Sequence, residues 1–116
     1  MQNKLTAKQK KDVEFMRGSL PKKIEVGISR TSDGGFFAEI LNFPGCVTQG
    51  ESFSELINMI NDAVYAYFEI PKKYIKFMPS YLPSPKTVQK MDIFPVVKKD
   101  HRTITIPINR REESTC

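Results

Sequence analysis

The chain has no tryptophan, a single histidine and only two cysteines, and each scarcity removes a class of function. A structural zinc site takes about four Cys or His ligands at tight spacings. His101, Cys46 and Cys116 are too few and too scattered, so no metal site and no cofactor is expected for one copy. A Cys–His nucleophile pair is equally unsupported, because a proline-containing stretch separates Cys46 from His101 and no serine or glycine motif accompanies either. Cys46 reads as a small, buried apolar residue at a turn–strand junction, and Cys116 as a free thiol in the tail. No apolar run approaches the ~18–20 residues that span a bilayer. The first residues are basic and lack an apolar stretch, so no membrane segment and no secretory signal is expected, and the expected compartment is the cytoplasm.

What is present is charge, unevenly placed. The whole chain carries +5 over 116 residues, a length that suits about one domain. Residues 1–23 hold seven Lys or Arg against two acids. Residues 24–71 hold seven acids against Arg30 alone, and residues 72–116 hold ten Lys or Arg against four acids. An acidic middle flanked by basic arms repels nucleic acid at its centre and attracts a basic protein there. The arms suit phosphates, through Lys8, Lys10 and Lys11 on one side and Lys98, Lys99, Arg102, Arg110 and Arg111 on the other, or they serve only as solvated tails.

The pattern predicts a domain over residues 24–71, a basic N-terminal extension over 1–23 and a basic, proline-containing region over 72–116. In the extension, Thr6 followed by Gln9 is a capping pattern for a short helix, broken near Gly18-Ser19-Leu20-Pro21. Ile24, Val26 and Ile28 alternate with Glu25, Gly27 and Ser29, the period of a half-buried strand. Residues 31–35 carry a turn signal, residues 36–41 a second strand, and Pro44-Gly45 a type II turn before a short third strand over 46–50. Ser52 followed by Glu55 is a capping box, and Phe53, Leu56, Ile57, Ile60, Ala63, Val64, Tyr67 and Phe68 form one apolar helical stripe. Ser54, Asn58, Asn61, Asp62 and Tyr65 fall on the other side, and Pro71 is the expected stop. The expected fold is α+β, a three-stranded antiparallel sheet with one packed helix. Residues 92–97 and 103–108 each read as a further strand, either of which can extend the sheet, and residues 109–116 as disordered tail.

The run Asp33-Gly34-Gly35-Phe36-Phe37-Ala38-Glu39-Ile40, then Phe43-Pro44-Gly45-Cys46-Val47-Thr48-Gln49-Gly50-Glu51 and the capped helix, resembles the HicB antitoxin family. In that family a Pro-Gly-Cys turn leads through Thr-x-Gly-Asp/Glu into an amphipathic helix. The resemblance covers roughly residues 24–68. It implies a partial ribonuclease-H-like βββα fold, homo-oligomers, and neutralisation of a small basic RNA-cleaving toxin of the HicA type. Family members often add an operator-binding module. Arg102-Thr103-Ile104-Thr105-Ile106-Pro107 is similar to the ribbon strand of one such module, but too few residues follow it for the module's two helices, so DNA binding by a complete module is not expected.

Catalysis is not expected either. A ribonuclease-H-like nuclease needs three or four converging carboxylates around two metal ions about 4 Å apart. Glu25 and Glu39 can share a sheet face and Asp62 lies on the helix, but no third strand acid is evident. These groups read as solvated carboxylates. Gly34-Gly35 precedes a strand and so serves a hairpin rather than a phosphate. The acids expected to meet a basic partner are Glu25, Asp33, Glu39 and Glu51, with Glu51 and Glu55 also favoured beside a helix N-terminus. Of Phe36 and Phe37, one must face away from the helix, and an exposed Phe beside an open sheet edge suggests pairing with a second copy.

Overall fold

Ile24, Val26 and Ile28 are fully buried and their neighbours Glu25, Gly27 and Ser29 are not. That alternation belongs to a strand with one dry and one wet face. In the computed structural model, which describes residues 5–92 and 101–109, this segment is strand β1 (Lys23–Arg30), preceded by helix α1 (Ala7–Ser19). Strands β2 (Phe36–Ile40) and β3 (Val47–Gly50) lead into helix α2 (Phe53–Tyr67). Then come α3 (Lys72–Ile75), β4 (Ser80–Tyr81), α4 (Pro85–Asp92) and β5 (His101–Asn109). The sheet is five-stranded in the order β3-β2-β1-β5-β4, with every neighbouring pair antiparallel. The fold is α+β, and β5 joins β1 of its own chain from Lys23↔Pro107 to Ser29↔His101.

Glycine sets the two turns of the β1–β2–β3 meander. Gly34, at φ 97°, closes the hairpin with its N–H on the Thr31 carbonyl at 3.0 Å. Gly45, at φ 82°, follows Pro44 in a turn closed by Cys46 N–H on the Phe43 carbonyl at 2.9 Å. Proline at the second position and a positive-φ glycine at the third are the type II chemistry expected there.

Phe36, Ala38 and Ile40 of β2 bury against the stripe of α2, where Leu56, Ile60 and Val64 are fully enclosed. Each such side chain contributes roughly 1.5–3 kcal/mol by leaving water. Helix α2 starts as its sequence dictates: Ser52 Oγ accepts the Glu55 N–H at 3.0 Å, while Glu55 reaches back to the N–H of Glu51 at 2.9 Å. It ends differently from expectation. Pro71 was the expected stop, yet the helix closes at Tyr67 in a Schellman turn, with Glu69 N–H on Ala66 O at 3.0 Å and Ile70 N–H on Tyr65 O at 2.9 Å. Glu69 takes the left-handed conformation, φ 56°, that this motif requires. Pro71 instead caps α3.

The region after Pro71 also corrects the expectations. Asp92 is the last residue of helix α4 rather than the first of a strand, and residues 93–97 lie outside the described residues. Asn61 and Tyr65, assigned by their polarity to the solvent side of α2, are buried. The cause is a second layer on that flank. Asn61 Oδ1 accepts the Tyr81 N–H at 2.6 Å, and Asn61 Nδ2 donates to the carbonyls of Tyr81 at 3.0 Å and Ile57 at 2.9 Å. The Tyr65 hydroxyl donates to Pro79 O at 2.8 Å, and the Tyr81 hydroxyl to Pro21 O at 2.6 Å. Helix α1 carries the expected Thr6–Gln9 capping box but runs on through Gly18 to Ser19. It docks by Val13, by Leu20 at its end, and by Arg17 Nη1 on Phe77 O at 2.9 Å. Among the described residues, no helix is long and apolar enough to cross a membrane.

Candidate functional site

With α2 on one face, the sheet presents its other face to solvent. Glu25 of β1, Phe37 and Glu39 of β2, Val47 and Gln49 of β3, and Thr103 and Thr105 of β5 are all exposed there. Glu39 stands opposite Gly27, two residues along β1 from Glu25. The two carboxylates are therefore diagonal neighbours, roughly 7–8 Å apart by sheet geometry. Gly27 between them is flanked on its other side by Thr103, and Glu25 by Thr105. Phe36 is buried and Phe37 is 39% exposed, so the strand turns one phenyl ring into the core and the other outward.

The other two acids expected at an interface lie at the end of the sheet. Asp33 and Glu51 line one shallow cleft of about 440 Å³ with Glu55, Thr31, Gln49 and Gly50. Asp33 accepts from the Thr31 hydroxyl and from the Gly35 N–H, and the first of these is the main reason its carboxyl is held below the ordinary 3.8. Arg30, the lone cation of residues 24–71, folds back at this end. Its guanidinium lies 4.2 Å over the Phe36 ring and donates to the carbonyls of Gly34 at 2.6 Å and Gly35 at 3.2 Å. Its charge is thus committed to the hairpin. The four predicted acids form two groups: Glu25 with Glu39 on the open face, and Asp33 with Glu51 in the cleft.

Gly50 explains how the cleft is shaped. A Cβ there would stand 2.7 Å from the Leu56 nitrogen and 2.9 Å from its Cα. Only glycine lets β3 run straight into the first turn of α2, which brings Glu51 and Glu55 beside the hairpin. The Thr-Gln-Gly-Glu string therefore encodes a backbone approach.

Sequence reasoning placed phosphate-binding residues on the arms. Lys8, Lys10 and Lys11 are exposed on α1. Arg102 lies in β5 opposite Ile28, while Lys98, Lys99, Arg110 and Arg111 lie outside the described residues. Sequence reasoning missed the exposed lysines 72, 73 and 76 around α3, which the Arg17–Phe77 contact sets beside the end of α1. Among the described residues no three His, Cys, Asp or Glu side chains converge as metal ligands, and Asp62 lies on α2, across the sheet from Glu25 and Glu39. Cys46 is half-buried, which pushes its thiol up.

The chain is similar to two curated proteins. It is 32% identical over 50 residues to a UPF0150 protein of Archaeoglobus fulgidus, covering 43% of this chain and 72% of that one. It is 35% identical over 57 residues to a UPF0150 protein of Thermoplasma acidophilum, covering 49% of this chain and 83% of that one. No family model matches, and no solved structure matches significantly.

Proposed function

The chain belongs to the UPF0150 family, and from that premise we propose that it is a HicB-like antitoxin, a cytoplasmic protein that binds and neutralises a small basic RNA-cleaving toxin of the HicA type. The family name carries no activity, so the reading rests on chemistry. Its main support is the open sheet face, where Glu25 and Glu39 stand together, with Lys23 an exposed cation on the same face of β1 and Arg30 folded back onto the hairpin. Asp33, Glu51 and Glu55 extend negative charge around the end of the sheet. A basic ligand meets two groups of acids, one on the open face and one at the end of the sheet, and electrostatic steering speeds its encounter. The HicB-resembling residues build this surface directly: Gly45 turns the chain into β3, and Gly50 brings Glu51 to the cleft. The antitoxin acts by covering, and no catalytic role is assigned to it.

The test mixes the purified chain with a small basic protein encoded beside it and follows both complex mass and RNA cleavage. A stable complex that silences cleavage is expected. The Glu25→Lys/Glu39→Lys double variant is expected to associate about tenfold or more slowly at low salt, with the difference shrinking as salt rises. Unchanged association would overturn the electrostatic reading, and a toxin whose cleavage persists in the complex would overturn the antitoxin reading.

A further inference from the structure

Building on the antitoxin reading, we propose that the open sheet face seats one arginine of the basic partner over Gly27, between Glu25 and Glu39, with Phe37, Leu41 and Val47 as the apolar rim of the contact. Gly27 occupies the middle of β1, the central strand, with Glu39 of β2 on one side and Thr103 of β5 on the other. A glycine in a strand interior leaves nothing to pack, and it often marks a place where a ligand approaches closely. Both ladders run through Gly27 in unbroken register, so its backbone is extended and suits any residue. What the glycine changes is the layer of side chains above the sheet. Glu25 and Ser29 flank it along β1, and Glu39 and Thr103 flank it across the strands. The resulting gap is floored by backbone and bordered by two carboxylates, roughly 7–8 Å apart as diagonal neighbours. A planar guanidinium, donating from more than one edge, bridges two such groups, whereas an ammonium is a compact point charge.

An apolar rim surrounds the same spot. Phe37 and Leu41 lie two residues either side of Glu39, and Val47 stands directly opposite it on β3. Leu41 N–H donates to Glu25 O at 2.8 Å, so the β1–β2 pairing carries one step past β2 and Leu41 keeps to the open face. Leu41 is 46% exposed and Val47 51%. Three large apolar side chains in water around one carboxylate match a partner surface that is apolar around one cation. Contact excludes water from the rim and strengthens the ion pair at its centre, the arrangement of an interface hot spot.

Charge selects the occupant. Lys23, the described cation on this face, lies four residues along β1 from Gly27, about 13 Å by strand rise, beyond a screening length of ~8–10 Å. Arg30 is committed to the hairpin carbonyls. A phosphate-bearing ligand is repelled by Glu25 and Glu39, and a second copy brings the same acids to the face, so the cation comes from a different, basic protein.

NMR titration of the isotope-labelled full chain with the peptide acetyl-Leu-Arg-Leu-amide tests the contact without any toxin. The peptide is expected to shift the amides of Gly27, Glu39 and Val47 with a Kd of about 1–10 mM. Its citrulline counterpart, of the same shape but uncharged, is expected to leave them unmoved. Gly27→Val fills the gap with a good strand former and keeps both acids, while Glu39→Gln keeps the shape and removes the charge. Each is expected to weaken the peptide about fivefold or more, with an unchanged circular dichroism spectrum. Glu14→Gln is the control. It removes an equal charge from α1, which packs through Val13 into the core on the helix side of the sheet, and is expected to bind as wild type does. Absence of shifts at these amides, equal shifts with citrulline, or a folded Gly27→Val or Glu39→Gln protein that binds like wild type overturns the proposal. The antitoxin reading is judged by RNA cleavage, so either fails without the other.

Discussion

Asn61 holds the backbone of Tyr81 from both sides, taking its N–H at 2.6 Å and giving a proton to its carbonyl at 3.0 Å. A side-chain amide here stands in for a neighbouring strand. It satisfies both polar groups of a residue whose side chain is fully buried. This joint ties the segment after Pro71 to helix α2, so the two regions fold against each other.

Asn61→Ala leaves the N–H and the carbonyl of Tyr81 buried without that partner. The expected cost is about 2–4 kcal/mol, because each stranded group forfeits its solvation. Asn58→Ala, one turn earlier and exposed, is expected to fall within about 0.5 kcal/mol of wild type. Urea unfolding of the two variants checks both. Equal, small effects would show that the joint carries little stability.

This joint was also where the sequence was hardest to read. The hairpin, the Pro44-Gly45 turn and the start of α2 depend on local chemistry, and each stands where the residues place it. Asn61 and Tyr65 depend on a segment twenty and fourteen residues away, and amphipathic reading sends an asparagine to solvent by default. Their spacing of one helical turn, in line with Ile57, was the available signal, since three residues in such a row share one face. The α2 terminus was misplaced for a related reason. Proline is a visible stop, whereas a Schellman turn through Glu69 lacks the glycine that usually announces it. Of the candidate acids, the pairing of Glu25 with Glu39 was legible from strand alternation. The meeting of Asp33 with Glu51 was not, because it depends on how closely Gly50 lets strand and helix approach.

Glu69 holds a left-handed φ of 56°, where a Cβ is crowded by backbone. Glu69→Gly relieves that and keeps both hydrogen bonds of the turn, so stability is expected to rise by about 0.5–1 kcal/mol. Thermal unfolding reads the gain, and a loss would mean that the Glu69 side chain carries more stability than its backbone costs.

Asp33 gives the fold an acid-sensitive contact. The Thr31 hydroxyl and the Gly35 N–H favour its ionised form, so the folded pKa lies below 3.8. A carboxyl lowered on folding adds stability above its unfolded pKa and loses it as pH falls through the folded value. The stability gap between wild type and Asp33→Ala is therefore expected to be constant above about pH 5 and to close below about pH 4. Denaturation midpoints across that range measure it. A gap that persists at the lowest pH would assign the effect of Asp33 to turn geometry alone.

Two glycines make opposite tests of the same physics. Gly50 has backbone atoms of Leu56 at 2.7 and 2.9 Å from where a Cβ would sit, whereas Gly18, in the last turn of α1, has nothing within 4 Å. Backbone cannot swing aside as a side chain can, so Gly50→Ala must push β3 and α2 apart, at an expected cost of about 1–3 kcal/mol. Gly18→Ala meets no obstacle and narrows the unfolded ensemble, so it is expected to stabilise by about 0.4–1 kcal/mol. The two substitutions add the same methyl group, and only the surroundings differ. Because Gly50 also sets where Glu51 lies, Gly50→Ala is expected to weaken capture of a basic partner at salt and temperature where the variant remains folded, while Gly18→Ala leaves capture unchanged. A Gly50→Ala protein as stable as wild type would show that strand and helix are not in the close register on which the acidic cleft depends.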